Sequence, residues 1–509
     1  MTSLMLSRRR LLAASSAALA LGAAPVRLRA AEAAPLILTA DTRVLEVNGK
    51  PATVFGIRRP DGGHGLTLAP GQRFRVDLTN RAGEETVIHW HGQTPPWTQD
   101  GVADTTRPTL AAGETRAYDF DARPGTHWMH SHHGLQEQKL MAAPLVVRTA
   151  QDDADGRQEV TVLLHDFTFR DPAEVLAGLT GGAMSQGGMD HGAMNHGSME
   201  HGSLNHGAMD HGAMDHGSMD HGSMDHGAMN HGAAPAASMD LNDVEYDAYL
   251  ANDRTLADPE VVRVERGGRV RLRLINGATS TAFWIDLGRL TGTVMAVDGT
   301  GVAPVAGQRF PMTMGQRLDI AIDLPADGGA FPILALREGD KARTGIVLAT
   351  AGAAVRRVAE RGDTAAPPVD LSLETRLSPL SPLAQKPADV RFTAELTGGM
   401  APYVWSINGQ VHGQHTPFRV TRGQRVEIDM VNPGMMAHPM HLHGHHFQVV
   451  AVNGAALAGA VRDTVLVPAG GSVRIAFDAD NPGRWPFHCH NLLHMAVGMM
   501  TEVVYDGVA

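Results

Sequence analysis

Three stretches of this 509-residue chain are written to one plan: LAPGQRFRVDLTNRAG (68–83), VERGGRVRLRLINGA (264–278) and VTRGQRVEIDMVNPG (420–434). Each has a glycine-containing turn, a run in which apolar and charged residues alternate, and an Asn before a second turn. Period-two alternation between turn residues marks a half-buried strand. Three copies spread through the chain predict three related β-domains. A second pair, AGETRAYDFDARPGTHWMHSHHG (112–134) and AGGSVRIAFDADNPGRWPFHCHNLLH (469–494), ties the first copy to the last, because both run from a strand through Pro-Gly into clustered histidines. The middle counterpart, MGQRLDIAIDLPADGG (314–329), ends without histidines and reads as a spacer of the same make. Long helical periodicity is absent. The expected fold class is therefore all-β, with three β-sandwiches over 34–150, 158–365 and 388–509. A charged, flexible linker is expected near 148–158 and a Pro-rich one near 360–390.

Residues 1–33 predict an export leader. Ser7, Arg8 and Arg9 precede an apolar run from Leu11 to Ala24, well short of the roughly 20 residues a membrane-spanning helix needs, and small residues follow. The pattern resembles a twin-arginine signal, which implies periplasmic delivery without a membrane anchor. The net charge is −11, and the first thirty residues hold five arginines and no acid, so the remainder is near −16. That balance argues against nucleic acid or an anionic membrane surface as partner; a monomer is expected.

Between 181 and 240 the chain repeats Met-Asp/Asn-His-Gly every five residues, with His191 to His231 in register. A glycine in every five residues opposes helix formation by about 1 kcal/mol each, and nothing there can form a core. An irregular insertion in the middle domain is expected.

The chemistry lies in four other clusters: His89-Trp90-His91, His130-Ser131-His132, His438-Pro439-Met440-His441-Leu442-His443, and His488-Cys489-His490 with His494 and Met499. Cys489 is the only cysteine, so no intramolecular disulfide can occupy it. On a strand, neighbours face opposite ways and residues two apart share a face. If 485–490 is extended, His488 and His490 look one way and Cys489 the other. With His438, His494 and Met499, the thiolate side becomes a His₂Cys site with a weak axial sulfur, the blue-copper type. His89, His91, His130, His132, His441, His443, His488 and His490 remain, enough imidazoles for three further coppers at an interface of the first and last domains. His64, His127, His165, His412 and His415 read as ordinary core or surface histidines; His133, His445 and His446 read as neighbours of ligands.

These four motifs resemble those of the multicopper oxidases over about residues 35–507, and the leader and insertion are similar to those of periplasmic copper-efflux and copper-resistance oxidases. The resemblance implies three cupredoxin-like Greek-key domains and four copper ions. It places a type 1 copper on His438, Cys489, His494 and Met499, and a type 2 copper on His89 and His441. The type 3 pair falls on His91, His130 and His490 and on His132, His443 and His488. It implies one-electron oxidation of a substrate coupled to reduction of O2 to water, with Cys489 carrying electrons to His488 or His490 and Asp100 in the place of an acid near the cluster. Two positions depart from the efflux pattern, Met495 and Gly434, each where those relatives carry an acid; Met436 matches a methionine proposed there to contact cuprous ion. Soft thioethers select Cu(I), so Met189, Met194, Met199, Met209, Met214, Met219, Met224 and Met229 of the insertion, with Met436, are the expected contacts of a Cu(I) substrate. The alternatives are a laccase-type oxidase of phenols and a copper-sequestering protein without turnover.

Overall fold

The computed structural model describes residues 34–102, 107–181 and 241–508. The leader and the insertion, with its eight candidate methionines, lie outside the described residues.

All three repeated segments are strands, Phe74–Arg81, Arg269–Asn276 and Arg425–Val431, and each pairs antiparallel with the alternating strand the sequence places after it: Thr115–Phe120, Arg317–Asp323 and Ser472–Asp478. The preceding turns put Gly71, Gly267 and Gly423 at φ of 72°, 65° and 90°, a region that side chains with a Cβ rarely adopt. The closing Asn does the same work three times. Asn80, Asn276 and Asn432 each accept from the backbone N–H two residues on, at 2.9, 3.1 and 2.9 Å, and donate to a carbonyl of the loop that follows, of Glu84, Thr281 and Met436. In the last copy that carbonyl belongs to Met436, so the turn fixes the entry to His438.

Six sheets stack as three two-sheet sandwiches. The first joins Lys50–Arg58, Leu36–Val47, Phe74–Arg81 and Thr115–Phe120 in one sheet, and Leu66–Leu68, Ala142–Val147, Gly125–Ser131 and Ile88–His89 in the other. The middle one pairs six- and five-stranded sheets, and the third seven- and five-stranded sheets. Non-consecutive neighbours in every sheet reflect the crossovers expected of cupredoxin-like folds. In the five-stranded sheet of the third sandwich, His438–Leu442 lies between Arg484–Cys489 and Thr464–Val467, with Met440 opposite Cys489 and His441 opposite His488. Alternation sends Met440, Leu442, Phe487 and Cys489 into the apolar core of that sandwich.

Two expectations need correction. The stretch near 148–158 is no flexible linker: Ala150–Asp155 is a helical turn closed by a capping box between Thr149 and Asp152, and Asp152 is buried against Arg271 and Arg273. The 360–390 stretch is also packed, because Leu373 and Leu377 enter the middle core and Glu374 meets Arg462. In both, a buried carboxylate is taken up by arginines from distant strands.

The middle sandwich is also more than a spacer. Its Arg317, fully buried, donates to Thr126 O of the first sandwich at 3.1 Å and grips Asp463 of the third at 2.7 and 2.5 Å. One guanidinium therefore ties three domains together. Removing one partner of such a buried pair typically costs about 3–5 kcal/mol, because the other charge is left without a partner. Arg317→Met should lower the melting temperature of metal-free protein by several degrees in a thermal scan, with Arg317→Lys falling between; an unchanged midpoint would show that the tie carries no stability.

Candidate metal centre

The strand alternation holds at the deciding place. Arg484–Cys489 is extended, and His490 follows directly. Cys489 Sγ lies 3.7 Å from Nδ1 of His438 and 3.7 Å from Nδ1 of His494, and those two nitrogens are 3.1 Å apart. His494 comes from the short helix Leu492–Ala496, whose cap Asn491 accepts from the backbone of Leu493 and His494. Met499, fully buried, is fastened between them: its N–H donates to His494 O at 3.0 Å, and its own carbonyl accepts from Cys489 N–H at 3.1 Å. Cys489 belongs to the same buried apolar cluster as Met440, Leu442, Phe447, Leu493 and Val497, and the Trp405 ring centre lies 4.2 Å from that of His494. Burial in this apolar shell pushes the Cys489 thiol far above its ordinary range. A metal ion, whose charge compensates the thiolate, is what would take the proton's place.

On the other face, His488 and His490 meet the first sandwich. Nε2 of His488 is 3.0 Å from His443 Nε2 and 3.4 Å from His132 Nε2, and His490 Nε2 is 3.3 Å from His91 Nδ1. His130 packs 5.2 Å from the His490 ring, and His89 stacks at 3.8 Å on His443. Nitrogens of the sets His89/His91/His130, His89/His441/His443 and His132/His443/His488 each lie within 4.8 Å of one another. All eight histidines expected at the interface are thus together.

Their tautomers follow from their outer partners. His488 Nδ1 donates to Cys489 O at 2.9 Å, His441 Nδ1 to Asp463 O at 2.9 Å, and His443 Nδ1 to the Asp100 carboxylate at 2.7 Å. His130 Nδ1 is 2.9 Å from Glu137 Oε2, His89 Nδ1 3.1 Å from Asp100 O, and His91 Nε2 3.1 Å from Asp463 Oδ1. With the outer nitrogen donating, the inner one is a bare lone pair. Burial lowers the pKa of His91, His130, His132, His441, His443 and His490 well below the ordinary value and takes His488 to about 3. At neutral pH these seven rings stay uncharged. Lone pairs therefore face one another at 3.0 Å between His443 and His488, and Nε2 of His89, His130 and His441 is buried with no partner. An unsatisfied buried nitrogen costs about 1–3 kcal/mol. Several such nitrogens aimed at common points fit cations, and imidazole and thiolate donors suit copper.

Several residues that hold these rings carry no sequence signal. Asp463 serves His91 and, through its carbonyl, His441; burial alone would raise its carboxyl, but Arg317 holds it well below the ordinary range. Asp243, just past the insertion, accepts from His494 Nε2 at 3.2 Å, from Tyr403 OH at 2.9 Å and from Asn491 Nδ2 at 2.7 Å. Asp100 reaches the cluster because Gly101, at φ 84°, packs its Cα against the Ile88 carbonyl, where a Cβ would sit 1.8 Å from the oxygen. Of the neighbouring histidines, His445 bridges His443 O and Tyr505 OH, and His446 lies 3.4 Å from Asp463 Oδ2.

Multicopper oxidase family models match residues 41–152, 159–357 and 385–507. This chain belongs to the multicopper oxidases. It is 30% identical to multicopper oxidase MmcO of Mycobacterium tuberculosis, over 86% of this chain and 80% of that protein. It is 26% identical to a copper resistance protein A homolog of Pseudomonas syringae pv. tomato, over 92% and 91% of the two chains. Its backbone is similar to the crystal structure of Fet3p, a multicopper oxidase that functions in iron import, with a TM-score of 0.71 over 93% of this chain and 90% of that one; at 18% identity this shows the fold alone. As a multicopper oxidase the protein is an oxidoreductase with copper as cofactor and O2 as electron acceptor.

Outer partners of metal-bound histidines are worth about 10–100-fold in metal affinity. Asp100→Ala, which takes the acceptor from His443 Nδ1 while His89 keeps the backbone carbonyl of residue 100, should lower copper retention by that order in a chelator competition. Cys489→Ser should abolish the intense blue copper–thiolate absorption while the circular dichroism of the sandwiches persists.

Proposed function

We propose that this multicopper oxidase oxidises Cu(I) to Cu(II), one electron at a time, and serves periplasmic copper tolerance after twin-arginine export. Of three domains over 34–150, 158–365 and 388–509, the first and last carry the centres. His438, Cys489 and His494, with Met499 as weak axial ligand, would hold a type 1 copper; His89 and His441 a type 2 copper; His91, His130 and His490, and His132, His443 and His488, a type 3 pair. Together the four ions would store the four electrons, taken one at a time from substrate, that with four protons convert O2 to two waters. The protein's part is to keep both sides dry, to fix each imidazole with its lone pair inward, and to join the two sides through the backbone from Cys489 to His488 and His490.

The observation that carries the substrate assignment is where the insertion is rooted. Although it interrupts the middle domain in sequence, Val175 and Leu176 of the helix Pro172–Leu179 before it, and Val244 after it, belong to the apolar cluster of Cys489, Met440 and Met499. Asp243, also after it, is hydrogen-bonded to His494. The described residues on either side of a segment rich in thioethers and imidazoles therefore pack into the sandwich that holds the candidate electron-entry site, which supports capture of cuprous ion for oxidation there.

Deleting residues 184–239 should reduce Cu(I) oxidation at low copper while phenol oxidation is kept or raised; oxygen uptake, corrected for autoxidation of Cu(I), reads both. Unchanged Cu(I) turnover would overturn the role of the insertion, and phenol turnover without Cu(I) turnover in the full-length protein would favour a laccase. Met499→Leu should raise the type 1 reduction potential in a redox titration, since the axial ligand tunes it; a fall would remove Met499 from the axial position.

A further inference from the structure

His64 and His165, which read in the sequence as ordinary core or surface histidines, border a cavity of about 270 Å³ between the first and middle sandwiches, together with the Asp253 carboxylate, Pro144 and Leu163. None of the twelve candidate copper ligands lines it. Leu163 closes its inner side and packs with Trp128, whose ring centre lies 4.2 Å from that of His130. An apolar layer of Leu163 and Trp128 therefore stands between the cavity and the histidine cluster.

Three segments bring the polar groups together. Alternation along the strand Gln158–Phe167 puts Leu163 and His165 on one face. His165, 2% exposed, donates from Nδ1 to Gly277 O at 2.9 Å, which leaves Nε2 as a lone pair, and no hydrogen bond reaches that nitrogen among the described residues. The turn after the strand Ala248–Ala251 is fastened to the same strand, since Asn252 Oδ1 accepts from Leu163 N–H at 2.8 Å and Nδ2 donates to Thr161 O at 2.9 Å. Asp253 follows, and Arg43, anchored on Phe55 O, donates to both its oxygens at 2.5 and 2.9 Å. Burial alone would raise that carboxyl, but Arg43 holds it below the ordinary range. His64 comes from the first sandwich, bridged to Arg58. Its Nε2 is buried without a hydrogen-bond partner and faces Gly56, where a Cβ would stand 3.1 Å away. Burial lowers the pKa of His64 to about 4 and that of His165 as well. At neutral pH both rings are uncharged donors of lone pairs.

The donor set selects the ion. Imidazole nitrogen suits copper, zinc and nickel; magnesium and calcium prefer oxygen alone, and a wall without thiolate or thioether does not select Cu(I). A carboxylate has about four lone-pair sites, so Asp253 keeps acceptor capacity beyond the two bonds from Arg43. We propose that this cavity binds one divalent transition-metal ion, Cu(II) or Zn(II), through His64, His165 and Asp253, apart from the four coppers of the oxidase. Of the two, Cu(II) binds such donors more tightly. One ligand belongs to the first sandwich and two to the middle one, so the ion clamps two domains. The sandwich that contributes none of the twelve candidate copper ligands thereby has a metal site of its own.

Zn(II), which is redox-inert, is the probe in the full-length, copper-loaded protein. Crystals equilibrated with Zn(II), with anomalous diffraction recorded on either side of the zinc absorption edge, should show one zinc peak in the cavity, about 2.0–2.2 Å from a nitrogen of each ring and an Asp253 oxygen. His64→Gln and His165→Gln should each lose that peak. In solution Zn(II) should raise the melting midpoint of the parent further than that of either variant, because an ion that binds only the folded state stabilises it; the Met/His-rich insertion is common to all three proteins. His64→Gln, whose ring gives up no hydrogen bond among the described residues, carries the comparison if His165→Gln fails to fold. With equimolar Cu(II) and Zn(II), a copper peak in the cavity names Cu(II) as the occupant and a persisting zinc peak names Zn(II); both support the site. Absence of any peak in the cavity, a peak on Asp253 alone, or equal midpoint shifts in parent and variants overturns it.

Discussion

Everything in this molecule depends on the inward-facing lone pairs of a set of neutral imidazoles. Burial keeps His91, His130, His132, His441, His443, His488 and His490 uncharged at neutral pH, and where the outer nitrogen of such a ring donates to a carbonyl or carboxylate the inner one has no donor from the protein. His443 and His488 meet nitrogen to nitrogen at 3.0 Å, and His89, His130 and His441 aim at space they share with their neighbours. Such an arrangement is unfavourable unless cations complete it, so metal binding strengthens the docking of the first and third sandwiches. The electrostatic cost of assembling the site is what makes it selective for an occupant.

The two faces of one strand then divide the labour. Cys489 points into the apolar core of the third sandwich, where its thiol is held neutral unless a metal replaces the proton, while His488 and His490 point out towards the first sandwich. Two chemically different sites lie a single residue apart along the backbone, each in the environment its ligands need. The dry core protects a sulfur centre, and the interface gathers nitrogens from two domains.

The middle sandwich supplies the mechanical and electrostatic frame. Arg317 crosses to both neighbours and holds Asp463 ionised; Asp463 in turn orients His91 through its carboxylate and His441 through its carbonyl. Asp243 shows the same principle at the candidate thiolate site, where a domain without candidate copper ligands accepts the outer N–H of His494.

The sequence by itself determined the local geometry and the ligand types. Alternation around Phe74, Val270 and Val426 specified strands, the glycine and asparagine of each copy specified their turns, and the one-residue offset between His488 and Cys489 specified opposite faces, because strand periodicity is a property of the backbone alone. It also made the clusters at His89, His130, His438 and His488 legible as one set. Only the tertiary structure decided which oxygen holds which imidazole. Asp463, Glu137 and Asp243 stand at positions with no motif, and the charged stretch after Val147 reads as solvated until Arg271 and Arg273 take up Asp152. Those contacts join residues tens to hundreds of positions apart, and a buried carboxylate is marked only by the partner that burial requires, which no local pattern of residues encodes.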